Sequence, residues 1–186
     1  IATGSIRDVG PHSPMVSDYS TTFTVVNVAP VIDNIVDATL PEGSLMAIVG
    51  GFADPGPDAW SATVDFGDGG GVQPLSLSGK AFELQHTYAS FGTYFVQVSV
   101  ADDDGGVDSE TFAVSVRNVS PHVAVDPVTT ITEGDLFVGG GQFIDPGANT
   151  WTATVNYGDG TGSSALTLSA SKTFSFAHVY ADEGVY

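Results

Sequence analysis

The sequence predicts an all-β fold built from β-sandwiches in tandem, and three observations support this prediction. Short runs of alternating apolar and polar residues lie between turns, and the 186 residues include 23 Gly and 10 Pro. Long stretches of strong helix formers are absent, which excludes a helical bundle. The third observation is an internal repeat with a period of about ninety residues.

The strand pattern is clearest between residues 30 and 117. In "WSATVDFGDG" the side chains of Trp60, Ala62 and Val64 share one face of a strand, and the following Gly-Asp-Gly predicts a turn. The same reasoning predicts seven strands, over residues 30–38, 44–52, 59–66, 72–77, 80–87, 92–101 and 108–117. Seven strands in about ninety residues are typical of the immunoglobulin-like arrangement of two packed sheets.

The internal repeat covers most of the chain. The motif "NVAP" at Asn27 returns as "NVSP" at Asn118, 91 residues later, and "WSATVDFGDG" returns with the same spacing as "WTATVNYGDG". The pair Glu42-Gly43 also returns, at positions 133 and 134. Further along, one residue is inserted, so that "HTY" at His86 matches "HVY" at His178 with a spacing of 92. The sequence therefore predicts two homologous modules.

The repeated motifs resemble those of the PKD (polycystic kidney disease) domain family. The first copy has "VDFGDGG" followed by "HTYASFGTYFVQVSVADDDGG", and the second has "VNYGDGTG" followed by "HVYADEGVY". One departure is that Val64 and Val155 stand where the family has tryptophan, while Trp60 and Trp151 lie four residues earlier. The resemblance implies tandem PKD-type sandwiches that act as extracellular spacer and recognition modules, and it implies no catalysis.

The predicted module boundaries do not coincide with the two ends of the sequence. We expect residues 1–28 to be the last two strands of a preceding module, residues 29–119 a complete module, and residues 120–186 the first five strands of a second module. Reading Tyr186 directly into Ile1 restores the pattern of the complete module, so the 186 residues correspond to one period of a tandem array. We expect residues 1–28 to complete residues 120–186 of a neighbouring copy, head to tail. The alternative is a fragment with an incomplete half-module at each end.

The charge balance limits the partners that the protein can have. The chain carries 22 Asp and Glu against 4 Lys and Arg, a formal net charge of -18. So few cations cannot neutralise a phosphate backbone, and an anionic membrane surface would repel the protein. There is no cysteine, which excludes disulfides and thiolate chemistry.

Acidic residues predict a possible calcium site at one pole of the complete module. In an immunoglobulin-like sandwich the loop between the second and third strands lies near the loop between the sixth and seventh, at the pole where the chain arrives. Calcium prefers six to eight oxygen ligands. The residues expected to converge there are Asp54, Asp58, Asp102, Asp103, Asp104 and Asn27. The resemblance adds that some members of the family hold calcium near this linker, whereas the alternative is a hairpin turn with solvated carboxylates.

Other polar residues favour structural roles. A repeated histidine such as His86 is expected to be a structural hydrogen-bonding residue, and Asp65 with Asp68 is a weak match to a glycosidase pair because both lie at a turn. Lys80 and Lys172 begin equivalent strands, where lysines commonly protect an edge.

The function predicted is a non-enzymatic structural repeat of a long secreted or cell-surface protein, stacked head to tail as a fibre, stalk or adhesin shaft. Modules that contact only their neighbours give length and stiffness. The alternative is a spacer or carbohydrate-binding accessory region of a secreted hydrolase.

Overall fold

A computed structural model describes residues 2–4, 19–127 and 130–186, and of residues 2–4 and 19–21 it describes the backbone. All the regular elements in these ranges are β-strands, which confirms the all-β prediction. The first two are β1 (Ala2–Gly4) and β2 (Tyr19–Thr21), which pair antiparallel as a hairpin. No helix in the described ranges has the length and apolar character needed to cross a membrane.

Nine strands follow and form two sheets packed face to face, which we name the closed sandwich. They are β3 (Val31–Ile32), β4 (Ala38–Pro41), β5 (Leu45–Ala53), β6 (Trp60–Asp65), β7 (Gln73–Leu75), β8 (Leu77–Ser78), β9 (Ala81–Thr87), β10 (Gly92–Asp102) and β11 (Val107–Arg117). One sheet has the strand order β4-β11-β10-β6-β7 and the other has the order β3-β5-β9-β8. This is the immunoglobulin-like architecture that the sequence predicts.

Two of the predicted strands are wrong in extent, for the same physical reason. The prediction of one strand over residues 30–38 is replaced by β3 in one sheet and β4 in the other. The prediction over 72–77 is likewise divided into β7 and β8, which belong to different sheets. A strand that changes sheet must leave one hydrogen-bond ladder before it joins the next, so the alternating pattern continues through a break in pairing.

The core of the closed sandwich follows from the predicted alternation. Val96, Val98 and Val100 of β10 are fully buried, and Leu84 of β9 faces them from the other sheet. Trp60 packs at the margin of this core with its ring 5.6 Å from that of Phe52, edge to face. The two longest strands, β10 and β11, each contribute three buried residues to this core.

A second set of five strands follows, which we name the open strand group. The strands are β12 (His122–Val125), β13 (Leu136–Ile144), β14 (Ala153–Asn156), β15 (Ser163–Leu166) and β16 (Thr173–Val179). β13 pairs with β16 in the register that β5 makes with β9, since Phe137 lies opposite His178 as Met46 lies opposite His86. β14 and β15 form a separate two-stranded sheet. The alternation continues, yet Phe174 and Phe176 are only half-buried, whereas their counterparts Phe82 and Leu84 are buried.

Candidate functional sites at the two poles of the closed sandwich

The end of the closed sandwich that carries Asn27, Asp54 and Asp102 is named the N-terminal pole. Asp54 follows β5 and is buried; its Oδ1 accepts a hydrogen bond from the Gly56 N–H at 2.9 Å, and its Oδ2 accepts one from Trp60 Nε1 at 3.0 Å. These hydrogen bonds, with that from Gly56 contributing most, hold the pKa of Asp54 below its ordinary value. Both carboxylate oxygens are thus used to fix the loop.

Lys80 belongs to the same local structure. Its Nζ donates a hydrogen bond to the backbone oxygen of Asp54 and lies 4.7 Å from the centre of the Trp60 ring. Lys172 repeats the arrangement in the open strand group, with its Nζ 4.4 Å from the Trp151 ring. The expectation that these lysines protect a sheet edge is therefore wrong. Each one ties the end of a strand to a tryptophan instead, by a hydrogen bond and a cation–π contact.

Asp102 braces the neighbouring hairpin turn. Its Oδ1 accepts hydrogen bonds from the N–H groups of Asp104 and Gly106, and its Oδ2 accepts one from Asn27 Nδ2 at 2.9 Å. The Asn27 hydrogen bond is the largest cause of a lowered pKa at Asp102. A side chain at Gly106 would overlap Asp102 Oδ2 and the backbone of Ala29, so this close approach requires glycine. Asn27 and Asp102 together attach the incoming chain to the pole.

The carboxylates of three other acidic residues, Asp58, Asp103 and Asp104, converge at this pole, unlike those of Asp54 and Asp102. One oxygen of each lies within 4.8 Å of the others. Asp103 Oδ1 also accepts a hydrogen bond from the Ala59 N–H at 3.0 Å. Asp58 Oδ2 is buried and has no hydrogen-bond partner. Burial, followed by the negative charge of Asp54, raises the pKa of Asp58, so the ionised form is held there at a cost.

The six residues predicted for a metal site therefore fall into two sets. Asp54, Asp102 and Asn27 are joined to the protein by hydrogen bonds that fix the loops. The other three present carboxylate oxygens close together on the surface of the pole. Such a group of oxygens has the chemistry that a hard divalent cation prefers.

The opposite end of the closed sandwich, named the C-terminal pole, forms a junction with the open strand group. Glu42 at this pole is 1% exposed. Its Oε1 accepts a hydrogen bond from the Val119 N–H at 2.9 Å, and Asn149 Nδ2 lies 3.2 Å from both of its carboxylate oxygens. The same Asn149 amide lies 3.2 Å from Asn118 Oδ1. One buried carboxylate thus binds the linker and the loop between β13 and β14.

Backbone contacts complete this junction. The Ala148 N–H donates a hydrogen bond to the Ala89 oxygen at 2.7 Å. Gly43 has a φ of 74°, and a Cβ built on it would lie 2.5 Å from Pro146 Cβ. Sequence reasoning did not assign a role to these residues. The repeated Glu-Gly pair was the available signal, but the partners of Glu42 lie 77 and 107 residues further along the chain.

The repeated histidines have the structural role expected of them. His86 Nε2 lies 2.8 Å from Asp68 Oδ2, and its ring stacks on Phe66 with 4.2 Å between ring centres. Tyr88 donates a hydrogen bond to the Phe66 oxygen, and burial raises its pKa to about 12. In the open strand group, His178 makes the same contacts with Asp159 and Tyr157. Each histidine connects the Gly-Asp-Gly turn to the neighbouring strand.

Comparisons with known proteins agree with this architecture. The family model described as PKD domain matches residues 27–116. Among solved structures, the PKD domain of an M14-like peptidase from a Thermoplasmatales archaeon is 20% identical, with a TM-score of 0.41, covering 49% of this chain and 98% of that one. No curated protein matches.

Two further solved structures match over a greater length of this chain. An I-band fragment of titin is 12% identical, with a TM-score of 0.39, over 85% of this chain and 57% of that one. The protein SGBP-B of a Bacteroides ovatus mixed-linkage glucan utilization locus, solved with a mixed-linkage heptasaccharide, is 15% identical with a TM-score of 0.38. The match covers 86% of this chain and 42% of that protein, so the chain spans about half the length of these two relatives.

Proposed function

Residues 27–116 match the PKD domain family model, and from this premise we propose that the chain is a stiff structural spacer within a longer secreted or cell-surface protein. The observation that carries the proposal is the junction at the C-terminal pole. Interfaces between domains of one chain are commonly loose and polar. Here a buried carboxylate and a direct backbone hydrogen bond join the two sides within a few residues of the linker.

The chemistry of this junction favours one fixed orientation. The Glu42 carboxylate must accept hydrogen bonds from both the linker and Asn149 to remain buried without a large cost. Bending the linker would remove these donors from the Glu42 carboxylate. A module held in this way contributes a constant length and direction to a stalk or shaft.

We assign the N-terminal pole a supporting role as a calcium site. Asp58 Oδ2 is a buried acceptor without a partner, and it lies beside the carboxylates of Asp103 and Asp104. A divalent cation would offset their mutual repulsion and the raised pKa of Asp58. In this assignment Asp54, Asp102 and Asn27 position the loops, and the converging carboxylates of Asp58, Asp103 and Asp104 hold the ion.

The surface charge supports an extracellular setting for the spacer. With 22 acidic and 4 basic side chains, the molecule is suited to remain soluble beside other acidic modules, and it offers little to nucleic acid or anionic lipid. The histidine and carboxylate side chains that meet in the described ranges brace turns, and the spacer role needs no catalytic group.

The test measures the orientation across the junction. Because the chain has no cysteine, spin labels can be attached at cysteines introduced at the exposed positions Thr111 and Ser164, and their distance measured by pulsed electron paramagnetic resonance. We expect one narrow distribution. Gly43→Ala should broaden it, because the new methyl group meets Pro146.

Gly134→Ala is the matched control. Gly134 also has a positive φ, of 82°, so alanine introduces comparable backbone strain, but no atom lies within 4 Å of its Cβ position. The control should keep the narrow distribution. A distribution that is already broad in the parent protein, or equally broad in both variants, contradicts the proposal.

A further inference from the structure

Two loops of different modules are held by the same hydrogen bonds. We name residues 54–59, between β5 and β6, the first loop, and residues 145–152, between β13 and β14, the second loop. In the first loop the Asp54 carboxylate accepts hydrogen bonds from a glycine N–H and a tryptophan Nε1. Asp145 accepts the equivalent two in the second loop, at 2.8 and 3.2 Å. Each residue of one loop can therefore be compared with the residue 91 positions away in the other.

The second loop contacts the C-terminal pole of the closed sandwich through two hydrogen-bond donors. One is the side-chain amide of Asn149, whose Nδ2 lies 3.2 Å from both carboxylate oxygens of Glu42. The other is the Ala148 N–H, which donates to the Ala89 oxygen at 2.7 Å. Because Glu42 is buried, its carboxylate depends on donors of this kind.

The first loop has neither of these donors. The repeat places Pro57 at the position of Ala148 and Asp58 at the position of Asn149. Proline has no backbone N–H, and an ionised aspartate only accepts hydrogen bonds. The loop at the N-terminal pole therefore offers two donors fewer than the loop that contacts the C-terminal pole.

Other residues on this side of the junction are the same in both modules. Three of them are Asn118, Val119 and Pro146, and their counterparts at the N-terminal pole are Asn27, Val28 and Pro55. Among these residues the difference in donors is thus confined to two adjacent positions of the loop.

The space beside the glycine of each loop is also filled differently. A Cβ built on Gly147 would lie 2.7 Å from Glu42 Cδ, so glycine allows this carboxylate to approach the second loop. A Cβ built on Gly56 would overlap Asp58 Oδ2 instead. The space that receives a carboxylate of the other module in the second loop is therefore filled, in the first loop, by the loop's own carboxylate.

We propose that Ala148 and Asn149 determine which module docks on the C-terminal pole of the closed sandwich. Pro57 and Asp58 make the N-terminal pole of a second closed sandwich an unsuitable partner for the same pole. Asp58 in the place of Asn149 would bring two carboxylates to hydrogen-bonding distance, and like charges this close repel each other. Such discrimination by an unfavourable pair is a common source of specificity.

This inference rests on the stiff junction proposed above and names the residues that select its two sides. Two modules with the same fold could otherwise be joined in more than one order. A change of two neighbouring residues in one loop is enough to allow one order and to exclude the other.

The first experiment gives the second loop the chemistry of the first loop, in the full chain. Spin labels at Thr111→Cys and Ser164→Cys again report the distance across the junction. Asn149→Asp should increase the ratio of molecules outside the narrow distance peak to those inside it by about tenfold or more, which corresponds to one pKa unit of carboxylate repulsion.

Glu42→Gln is the matched rescue of Asn149→Asp. The new amide group of residue 42 can donate to the new carboxylate, while the amide oxygen still accepts the Val119 N–H. The double variant should therefore recover the narrow distribution. A change in the closed sandwich would not repair a second loop that Asn149→Asp had merely damaged.

The second experiment tests the backbone donor. Ala148→Pro should broaden the distribution, because the Ala89 oxygen loses its partner. The substitution suits the local backbone, since Pro57 has the same place in a loop with the same hydrogen bonds. Ala148→Ser is the control, because serine keeps the N–H, and it should leave the distribution narrow.

The outcomes separate this inference from the spacer proposal. A broad distribution in the labelled parent overturns both. A narrow parent with an equally narrow Asn149→Asp variant, or a variant that Glu42→Gln does not restore, overturns only the role of Asn149. Equal distributions for Ala148→Pro and Ala148→Ser overturn the role of Ala148.

Discussion

Glu42→Ala is the most informative single substitution, because one buried carboxylate holds the junction at the C-terminal pole. The change leaves the Val119 N–H without its acceptor and removes the two 3.2 Å contacts of Asn149. The backbone hydrogen bond from the Glu42 N–H to the Arg117 oxygen is kept. The loss is therefore confined to what the side chain accepts.

The expected magnitude follows from these contacts. A hydrogen bond to a charged acceptor contributes about 1.5–3 kcal/mol, and Val119 loses one such bond. The Asn149 amide keeps Asn118 Oδ1 as a partner and adds little to the cost. Relief from burying a charge offsets part of the loss. We expect the free energy of unfolding to fall by about 2 kcal/mol in total.

The assay is urea unfolding followed by tryptophan fluorescence, with Glu133→Ala as the matched control. Glu133 occupies the equivalent repeat position but is exposed, so its removal should change stability by less than about 0.5 kcal/mol. Equal effects of the two substitutions would refute the reasoning, because they would show that the hydrogen bonds of Glu42 contribute nothing beyond an exposed glutamate.

Three further predictions concern ionisable groups. Asp58→Asn should raise the melting temperature at pH 7 without divalent cations, because the raised pKa of Asp58 means that its ionisation destabilises the fold. Thermal unfolding measured against pH should show that this gain vanishes below pH 3.8, the ordinary pKa of an aspartate, where Asp58 is protonated in both states. Calcium should raise the melting temperature of the parent in a concentration-dependent way and have less effect on Asp58→Asn, and identical parent curves with calcium and with chelator would contradict the cation site. Hydrogen bonds from Thr161 lower the pKa of Asp159 to about 2, so the contribution of Asp159 to stability is complete above pH 3.8 and is lost as the pH falls towards 2. Asp159→Asn should therefore flatten the plot of unfolding free energy against pH in this range, and an unchanged plot would contradict this assignment.

The closed sandwich was predictable because each strand has its own local signal. Alternation along β6 and β10 gives the buried face, and glycine-rich turns give the ends. The division of residues 30–38 between two sheets was not predictable, since the alternating pattern does not change where the hydrogen-bond partner changes. Pairing is a property of the neighbouring strands, and the local sequence contains no record of it.

The candidate sites show a similar limit. The sequence indicated which acidic residues gather at the N-terminal pole, but a carboxylate in a turn can bind a backbone N–H or remain free. Asp54 and Asp58 lie four residues apart in one loop, and the positions of the Gly56 N–H and of Trp60 Nε1 determine that Asp54 is the one that is hydrogen-bonded. The Glu42 junction needs the linker and two distant loops to be placed in space, and no periodicity reports that.

The parallel pairing of β4 with β11 has a mechanical consequence. Ala38 lies opposite Val114 and Pro41 opposite Arg117, and the two strands run in the same direction towards the C-terminal pole. Tension along the long axis pulls the start of β4 towards one pole and the end of β11 towards the other. The hydrogen bonds between these strands are then loaded in shear, all at once, and cannot be opened one after another. A module built in this way resists extension most strongly in the direction in which a shaft is pulled.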